Sequence, residues 1–531
     1  MGKKFSDKDF PIGRIATLIV LCVALQIFII AKLIDLQIVR YTGIETRVKE
    51  QSEKRIKTIP TRGKIYDREY KVFALTIGKK RIYPLHELCG NTIGFIGKDG
   101  MGLEGVEYEF EHVLSGTPGW LTLAKTPYGK LYPYPGLPMK PMKFANDIVL
   151  TIDTDIESIV ETALMKRLRE LNAKEGSGVV IECKTGEILA MATVPSCNPT
   201  EWRRFKEWNN SVIQDQFEPG SSFKVVPIAL LMKDKLVGLQ DIVEDGSAQI
   251  TIGNHTINDV HKHDEFTFSQ AVWQSSNVAF VRLTPRIGKG NFYVGSRLFG
   301  FGTPTGIPLP GEAPGRLTTP DRWSTLSFAN ISFGQGMSCN LLQLALAYQA
   351  VANKGELLRP IIVKKIISSE GETIYESSPI VVRRVLSVAD AQIVNSLLCG
   401  VIEYGSGMSA RVPGLKMAGK TGTAQKAVNG RYKDAYIASF ITFFPADNPE
   451  IVVACVINEP KGMCLSSQVC GPVIKEIVSN IVKLKQYQCF CDSSLVSGNQ
   501  NMVMKKEMPV NNQNTMFSKK KNTLKLTEAV K

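Results

Sequence analysis

The feature that most constrains this chain is an uncharged apolar segment near its start. Residues Ile15 to Ala31 carry no charged side chain, and four basic residues precede them, namely Lys3, Lys4, Lys8 and Arg14. Extended to Leu36, the segment is long enough to cross a bilayer as a helix, which satisfies its own backbone polar groups in lipid. The preceding positive charge predicts that the N-terminus stays in the cytoplasm and that the rest of the chain is exported.

A cleaved signal peptide and a buried core helix are the alternatives for this segment. The apolar stretch is longer than the usual core of a signal peptide, and no small-x-small cleavage site follows in residues 32–36. A buried helix would not need to be as long as a bilayer is thick. We therefore predict an uncleaved, single-pass membrane anchor.

The composition is that of a folded protein with a substantial core. The chain has 531 residues, of which 44% are hydrophobic and 21% charged, so two or more domains are expected. Its net charge of +14 is compatible with nucleic-acid binding, but no helix-turn-helix, finger or aromatic-basic ribonucleoprotein pattern accompanies it. We expect no nucleic acid as a partner, because an anionic membrane or wall polymer explains the charge equally well.

The pattern of apolar residues divides the chain into four parts. Residues 1–40 hold the anchor, and residues 41–146 contain short β-favouring runs between turns, which predicts a strand-rich pedestal acting as a spacer or docking platform. In residues 147–487 strand and helix patterns alternate, so we predict a mixed α/β (α+β) domain with a sheet inside and helices outside. The basic tail, residues 488–531, is predicted to be disordered.

A Ser-x-x-Lys motif lies where a Pro-Gly break meets an apolar run. Ser221 and Lys224 precede the run Val225 to Met232, which predicts a buried helix with both residues in its first turn. A lysine whose pKa is depressed by burial can take the proton of a serine hydroxyl and activate it as a nucleophile. The helix N-terminus adds partial positive charge where an oxyanion would form.

Two further motifs each occur more than once, so context must separate them. Lys-Thr-Gly occurs at Lys184 and at Lys420, and Ser-x-Asn occurs at Ser275, Ser338 and Ser497. The Lys184 copy lies in a predicted hairpin turn and the Ser338 copy precedes a predicted helix, so turn formation and capping explain both. Capping is also the alternative for Ser275. Around Lys420, small residues on a strand would let an extended peptide pair with it.

With its motifs in this order, the chain resembles a class B penicillin-binding protein, a membrane-anchored peptidoglycan D,D-transpeptidase, over about residues 13–485. The three segments that carry the resemblance are Glu218 to Lys224, Ser275 to Ala279 and Ala418 to Ala424. Supporting matches lie at Arg62 to Arg68, Gly102 to Glu107, Thr185 to Met191, Gly300 to Gly302, Leu309 to Glu312 and Gly334 to Gly336. The resemblance implies a penicillin-binding/β-lactamase-like fold, with an antiparallel sheet flanked by helices after a dimerisation-like pedestal.

The resemblance implies a catalytic role for five residues. Ser221 would be the nucleophile that is acylated by the penultimate D-Ala of a stem peptide, and Lys224 its general base. Ser275 would relay a proton to the departing D-Ala. Asn277 would hydrogen-bond the substrate and Lys224, while Lys420 would shape the electrostatics of the site.

It also implies a substrate-binding strand and an oxyanion hole. Thr421 and Gly422 would line the site beside Lys420, and Thr423 would receive the substrate carboxylate. The backbone amides of Ser221 and Thr423 would form the oxyanion hole.

The family resemblance further implies ligands, partners and a location, and two alternative functions stay open. We expect peptidoglycan stem peptides and β-lactams as ligands, no cofactor and no metal, and a catalytic domain on the outer side of the cell (inner) membrane. The motif Ser275-Ser276-Asn277-Val278 favours a division-type over an elongation-type member, and hence a polytopic septal glycosyltransferase and other division proteins as partners. A non-catalytic β-lactam sensor or wall-binding scaffold and a hydrolase that passes the acyl group to water are the alternatives.

Two features depart from this pattern or extend it. Tyr70 stands where the family usually has Gly, so the local turn is expected to differ if that Gly needs a positive φ. Eleven cysteines are many for an exported enzyme, and four of them cluster late, at Cys464, Cys470, Cys489 and Cys491. Their spacings do not match paired Cys-x-x-Cys zinc ligands, so we expect disulfides of open connectivity.

Overall fold

The structure is a computed structural model that describes residues 12–245, 247–260, 265–428, 431–484 and 487. The tail predicted to be disordered, together with Cys489 and Cys491, lies outside the described residues.

The chain begins with an exposed apolar helix that matches the predicted anchor. Helix α1 (Ile12–Ile34) continues into a π-helical turn (Asp35–Val39), and within these 28 residues an 18-residue stretch has a mean hydropathy of 2.6 with no part buried. A helix of this length and composition can cross a bilayer. The predicted segment, Ile15 to Leu36, falls within it.

The membrane-proximal part is rich in short strands, as expected. Its elements are α2 (Tyr41–Ser52), β1 (Glu53–Thr58), β2 (Ile65–Tyr66), β3 (Val72–Ile77), β4 (Lys80–Ile82), α3 (Gly90–Ile93), α4 (Gly105–Glu109), α5 (Glu111–Leu114), β5 (Gly119–Lys125), β6 (Leu131–Tyr132) and β7 (Met139–Lys140). Strands β1, β6 and β7 pair with β5 in one antiparallel sheet. This sheet follows the membrane helix after only α2.

The larger part alternates helices and strands. Its first elements are β8 (Asp147–Leu150), α6 (Thr154–Leu171), β9 (Glu175–Glu182), β10 (Ile188–Val194), α7 (Val225–Lys233), β11 (Ile242–Asp245), β12 (Gln249–Ile252), β13 (His255–Asn258), β14 (Glu265–Thr267), α8 (Phe268–Gln274) and α9 (Asn277–Leu283). The remaining elements are α10 (Lys289–Leu298), α11 (Thr325–Ser332), α12 (Leu341–Ala352), β15 (Glu356–Leu358), β16 (Val363–Ile367), β17 (Thr373–Glu376), β18 (Val381–Arg384), α13 (Val388–Tyr404), β19 (Ala418–Val428), β20 (Arg431–Phe444), β21 (Ile451–Asn458), α14 (Ser466–Val469) and α15 (Gly471–Ile481).

A five-stranded sheet forms the centre of this part, and it confirms the predicted antiparallel architecture. The strand order is β10-β9-β21-β20-β19, with every neighbouring pair antiparallel. The hairpin β9–β10 contains Lys184 and Gly186 in its turn, as the sequence predicted. Strand β19, which carries Lys420, lies at the edge of the sheet.

Helices cover both faces of this sheet. On one face, α6 and α15 bury Ile156, Val160 and Ile477 against the strands. On the other face lies α12, whose twelve residues are all buried. Asn340 caps α12 by accepting a hydrogen bond from Gln343 N, and Gln343 Oε1 accepts one from Asn340 N in return. The predicted layering, with helices outside and sheet inside, is confirmed.

A second sheet joins the membrane-proximal part to the larger one. Its strand order is β17-β16-β8-β2-β3-β4, so strands from both sides of residue 147 pair with each other. Buried residues as distant in sequence as Ile65 and Val456 belong to one apolar cluster. The domain boundaries 41–146 and 147–487 stay a prediction.

The turn around Tyr70 corrects one expectation. We expected the turn to differ where Tyr replaces Gly, but Tyr70 keeps the left-handed conformation, with φ of 63°. The Asp67 carboxylate accepts hydrogen bonds from Glu69 N and Lys71 N and so stabilises the turn. The tyrosine therefore occupies a backbone conformation that favours glycine.

The cysteines also correct an expectation. All nine cysteines among the described residues are free thiols, including Cys464 and Cys470. The disulfide predicted among the late cysteines is therefore wrong for these two. Cys470 is buried beneath the sheet, where its thiol donates a 3.3 Å hydrogen bond to the Ala438 carbonyl, whereas Cys464 is only half-buried.

Candidate active site

The Ser-x-x-Lys motif forms a short 3₁₀ turn rather than the first α-helical turn that was predicted. This turn spans Gly220–Lys224 and runs directly into α7. With three residues per turn, side chains three apart lie one above the other, so Ser221 and Lys224 share a face. Ser221 is half-buried and Lys224 is fully buried. The hydroxyl thus borders the surface while the amine lies beneath it.

Contacts from three other segments fix this turn. Gly220 has a φ of 55°, and a Cβ on it would lie 2.7 Å from the Thr423 carbonyl oxygen, so the turn packs directly against β19. Gly220 N donates to Gly334 O at 3.0 Å. The Tyr348 hydroxyl of α12 donates to Ser222 O at 2.6 Å. The position of the serine is therefore set by the core helix and the edge strand together.

Lys224 is held by the loop between α8 and α9. Its Nζ donates to Ser275 O at 2.7 Å, to Ser276 O at 3.1 Å and to Asn277 Oδ1 at 2.8 Å. Three acceptors match the three N–H donors of an ammonium group. The amine is thereby aimed at one place beneath the serine turn.

Burial lowers the pKa of Lys224 to about 7, and the negative charge of Asp259 opposes this shift. The amine also lies 5.1 Å from the centroid of the Phe280 ring, which shields one side of it from water. A lysine with such a pKa is substantially neutral at physiological pH, and a neutral amine can accept a proton.

Ser275 lies between two lysines. It ends α8 in the left-handed conformation, with φ of 62°, and its Oγ accepts a 2.6 Å hydrogen bond from Lys420 Nζ. Lys224 Nζ lies 3.4 Å from the same oxygen. Burial and the nearby Lys224 together hold the pKa of Lys420 well below its usual range. Two amines and one hydroxyl thus form a continuous path for a proton.

The edge strand β19 presents Lys420 and its neighbours to the site. Gly422 contacts the serine turn so closely that a Cβ would lie 2.5 Å from Pro219 O. The Thr421 hydroxyl lies 2.9 Å from Ser406 Oγ. Because β19 pairs with β20 alone in the described part of the sheet, its other edge is open to an added strand.

Thr423 is oriented by the start of α14. Its Oγ1 accepts a 2.9 Å hydrogen bond from Ser466 N, which leaves its own proton to be donated elsewhere. Ser466 is in turn bonded to the sheet through Ser439 O. This arrangement suits a hydroxyl that donates to an anionic ligand.

The predicted site residues therefore converge. Lys224, Ser275, Asn277 and Lys420 form one hydrogen-bonded cluster, Ser221 precedes Lys224 by one turn, and the predicted substrate-binding residues, Thr421, Gly422 and Thr423, follow on β19. Their chemical roles stay predictions.

The other copies of the Lys-Thr-Gly and Ser-x-Asn motifs do not belong to this cluster, and local contacts account for those at Lys184 and Ser338. Lys184 is exposed and pairs with Glu450 at 2.6 Å. Ser338 Oγ donates to Gln216, while its neighbour Asn340 caps α12. The Ser-x-Asn copy at Ser497 lies outside the described residues.

The sequence did not reveal two residues that support the site, Asp259 and Ser466. Each acts on a motif residue through a contact with its backbone or hydroxyl, and neither belongs to a recognisable motif. Within the described residues, no group of three or more His, Cys, Asp or Glu side chains could hold a metal ion.

Comparisons with known proteins agree with this architecture. A family model described as Penicillin binding protein transpeptidase domain matches residues 176–482. Penicillin-binding protein PbpB of Mycobacterium tuberculosis is 34% identical over 396 residues, covering 72% of this chain and 58% of the relative. Peptidoglycan D,D-transpeptidase FtsI of Escherichia coli is 30% identical over 427 residues, covering 80% of this chain and 70% of the relative.

A solved structure matches as well. The crystal structure of penicillin binding protein 3 from Mycobacterium tuberculosis complexed with aztreonam has a TM-score of 0.72 and 31% identity, and the match covers 81% of this chain and 97% of that one. The chain spans 58% and 64% of the length of the PbpB proteins of Mycobacterium tuberculosis and Mycolicibacterium smegmatis, which is less than two thirds in both cases.

Proposed function

Because this chain belongs to the class B penicillin-binding proteins, in their division type, we propose that it crosslinks peptidoglycan as a serine D,D-transpeptidase. The observation that carries the proposal is the cluster beneath Ser221, where the buried Lys224 has a pKa of about 7 and contacts Asn277 and, through Ser275, Lys420. A base of this kind, held close to a serine, fits acyl transfer at neutral pH.

In the first half-reaction, Ser221 Oγ attacks the carbonyl carbon of the penultimate D-Ala of a stem peptide. Lys224 accepts the hydroxyl proton as the new C–O bond forms. The backbone amides of Ser221 and Thr423 are assigned to the oxyanion of the tetrahedral intermediate. When that intermediate collapses, the peptide C–N bond breaks, and the leaving D-Ala nitrogen receives a proton through Ser275.

In the second half-reaction, an amine of another peptidoglycan strand attacks the ester on Ser221. Lys224 takes a proton from this amine, the new amide bond closes the crosslink, and Ser221 regains its proton. A β-lactam acylates the same serine, but its opened ring stays attached to the acyl group and blocks the incoming amine. β-Lactams are therefore the expected inhibitors, and aztreonam is bound by the similar protein of known structure.

The donor peptide is proposed to bind as an added strand along β19. Backbone hydrogen bonds to the open edge would give affinity, and the small Gly422 permits close approach. The D-Ala carboxylate would accept from Thr423 Oγ1, whose proton is left available by the Ser466 contact, with Thr421 and Lys420 beside it. This assigns all three predicted substrate-binding residues.

The proposed location rests on the anchor. A single apolar helix near the N-terminus supports a membrane-anchored protein with a separate catalytic part, and the basic residues that precede it support the proposal that this part lies on the outer side of the cell (inner) membrane. Division-type membership assigns the septal wall as the site of action, with a polytopic septal glycosyltransferase and other division proteins as partners. The pedestal is the part of the chain available for such contacts.

The proposal is tested with a fluorescent penicillin and full-length protein in detergent. We expect covalent labelling that Ser221→Ala abolishes and Ser338→Ala, a change in another Ser-x-Asn copy, leaves intact. Lys420→Ala should slow labelling, and its matched control in the other Lys-Thr-Gly, Lys184→Ala, should not. Unaltered labelling of Ser221→Ala would refute an acylating Ser221.

A two-strand substrate separates the enzyme from its rivals. Crosslinked product supports a transpeptidase, whereas labelling without any product would identify a sensor. A penicilloyl-enzyme that turns over within seconds would identify a hydrolase, because a transpeptidase holds the opened β-lactam for long periods.

A further inference from the structure

Asp259, which lies outside the three motifs, accepts hydrogen bonds from the loop that contacts Lys224. Asp259 follows β13, and its carboxylate accepts hydrogen bonds from Ser276 Oγ at 2.6 Å, from Val278 N at 3.1 Å and from Asn277 N. These donors are the N-cap residue and the first two residues of α9, so the carboxylate lies at the positive end of that helix. Ser276 caps the helix as well by accepting from Ala279 N at 3.0 Å. Asp259 therefore satisfies two backbone N–H groups that the Ser276 side chain does not reach.

Asn258, the residue before Asp259, orients the Asn277 side chain. Asn277 Nδ2 donates to Asn258 O at 3.2 Å, while Asn277 Oδ1 accepts from Lys224 Nζ at 2.8 Å. An amide has one oxygen and one nitrogen, so a carbonyl on the nitrogen side turns the oxygen toward the lysine. Asn258 and Asp259 together fix both the backbone and the amide of Asn277.

The hairpin β12–β13, which Asp259 follows, is packed against α9 and α11. Ile250, Ile252 and Ile257 of β12–β13 contact a small apolar cluster formed by Val281, Ala329 and Phe333 of α9, α11 and the residue after α11. Arg282 of α9 also donates to Ser247 Oγ at 3.1 Å. Because the hairpin and α9 are joined twice, the aspartate is held in a defined position.

The charge of Asp259 also acts on the buried amine of Lys224. Within the described residues, neither Lys224 nor Lys420 has a carboxylate within ion-pairing distance. Burial lowers the pKa of Lys224, and Asp259 is the charge that raises it in opposition. The other charged group facing Lys224 is Lys420 of β19, whose own pKa is lowered by burial and by Lys224.

We propose that Asp259 is a positioning residue for acylation, which holds the loop from Ser276 to Val278 so that Ser275 and Asn277 meet Lys224, and whose negative charge acts on the amine of Lys224. This role rests on the proposed acyl transfer at Ser221. Asp259 acts through Asn277 and Lys224 and is not assigned any contact with the substrate. Loss of the Asp259 charge should change the pH at which Lys224 becomes a neutral base. Loss of the Asp259 hydrogen bonds should displace Asn277 and Lys224 and so lower the rate of acylation.

The test is the pH profile of acylation by a fluorescent penicillin, with full-length Asp259→Asn. Without the carboxylate, the pKa of Lys224 should fall further, so the acid limb of the profile should move to lower pH. The plateau rate should fall about 10- to 100-fold, because misplaced catalytic groups lose rate steeply. The control is Asp241→Asn, which removes a carboxylate that accepts from Gly238 N at 2.8 Å in a loop before the same hairpin. Its profile should match the wild type.

An acid limb of Asp259→Asn that coincides with the wild-type limb would overturn the proposal, whatever happens to the rate. Asp259→Glu provides a second measurement if the Asn variant does not fold. It keeps the charge but displaces the oxygens, so the plateau should fall while the limb stays near its wild-type position; an unchanged plateau would contradict the positioning role. If the wild type itself is not labelled, the proposed function has failed. That outcome differs from an unchanged acid limb in Asp259→Asn and from an unchanged plateau in Asp259→Glu, which contradict only the role of Asp259.

Discussion

Lys420 Nζ donates a 2.6 Å hydrogen bond to Ser275 Oγ, although the two residues are 145 positions apart in the chain. The same oxygen lies 3.4 Å from Lys224 Nζ, so one hydroxyl links two buried amines. A hydroxyl can accept a proton on one side and donate one on the other. This geometry suits Ser275 to carry a proton between the base and a leaving group.

Replacing Ser275 by Ala should interrupt this path. We expect acylation by penicillin to slow about 100-fold, which is within the range for loss of an acid–base group. Stopped-flow or gel-based labelling gives the rate, and thermal unfolding gives the stability. Ser338→Ala makes the same change in the half-buried Ser-x-Asn copy, where the hydroxyl donates only to Gln216, and should leave the labelling rate unchanged. Equal rates for the two variants would contradict the relay.

The buried Lys224 predicts a specific pH dependence. Because burial lowers its pKa to about 7, the neutral, proton-accepting form increases as the pH rises through 7 and dominates above it. The acylation rate should therefore climb between about pH 6 and 8 and then level off. A rate that still increases up to pH 10, the region of an ordinary lysine, would contradict this assignment.

Lys224→Arg tests the same base in another way. A guanidinium stays charged throughout this range, so it cannot accept the serine proton. Labelling should fall at least about 100-fold at every pH. Lys233→Arg, at the exposed end of α7, is the matched control and should label like the wild type.

The contact between the serine turn and β19 predicts the effect of a single methyl group. A Cβ on Gly422 would lie 2.5 Å from both Pro219 O and Ser439 Oγ, so Gly422→Ala should push the strand away from the turn. We expect a loss of about 1–3 kcal/mol of stability from overpacking and an acylation rate about 100-fold lower from misplacement. Denaturant unfolding and penicillin labelling measure the two.

Gly290→Ala is the control for this change. Gly290 lies near the start of α10 with no atom within 4 Å of the added Cβ, and its φ is not in the left-handed region. The alanine should leave labelling unchanged and stabilise the helix by up to about 1 kcal/mol. If Gly422→Ala behaved in the same way, the close packing of turn and strand would not matter for the reaction.

Much of the fold could be predicted because its signals are local. The alternating strand and helix patterns after residue 147 include apolar residues at helical spacing between Asp155 and Leu171, where the helix Thr154–Leu171 is observed. The turn signal at Lys184 predicted the hairpin β9–β10. Both patterns depend only on residues that are neighbours in sequence. The three motifs could be selected for the same reason, because each has its own local context.

The supporting residues could not be predicted because their signals are not local. Asp259 accepts from residues 17 to 19 positions later, and Ser466 donates to Thr423 from 43 positions away. Neither sequence neighbourhood specifies its partner. The sheet that joins β2 to β8 is equally non-local, because two strands about 80 residues apart in sequence pair side by side. The 3₁₀ geometry of the serine turn was also not predicted, because the sequence does not show that this turn packs against β19.

The left-handed backbone of Tyr70 predicts that replacing it by glycine gives a more stable variant than the same replacement at a helical tyrosine. Its φ of 63° places a bulky side chain in the left-handed region, which is disfavoured by roughly 1–2 kcal/mol for a residue with a Cβ. The matched control is Tyr108 of α4, which is 52% exposed against 53% for Tyr70 and is helical. Because both variants replace tyrosine by glycine, the entropy gained by the unfolded chain is common to them. Tyr70→Gly should therefore be about 1–2 kcal/mol more stable than Tyr108→Gly in denaturant unfolding. Equal stability of the two variants would show that the hydrogen bonds of Asp67 already relieve the strain at Tyr70.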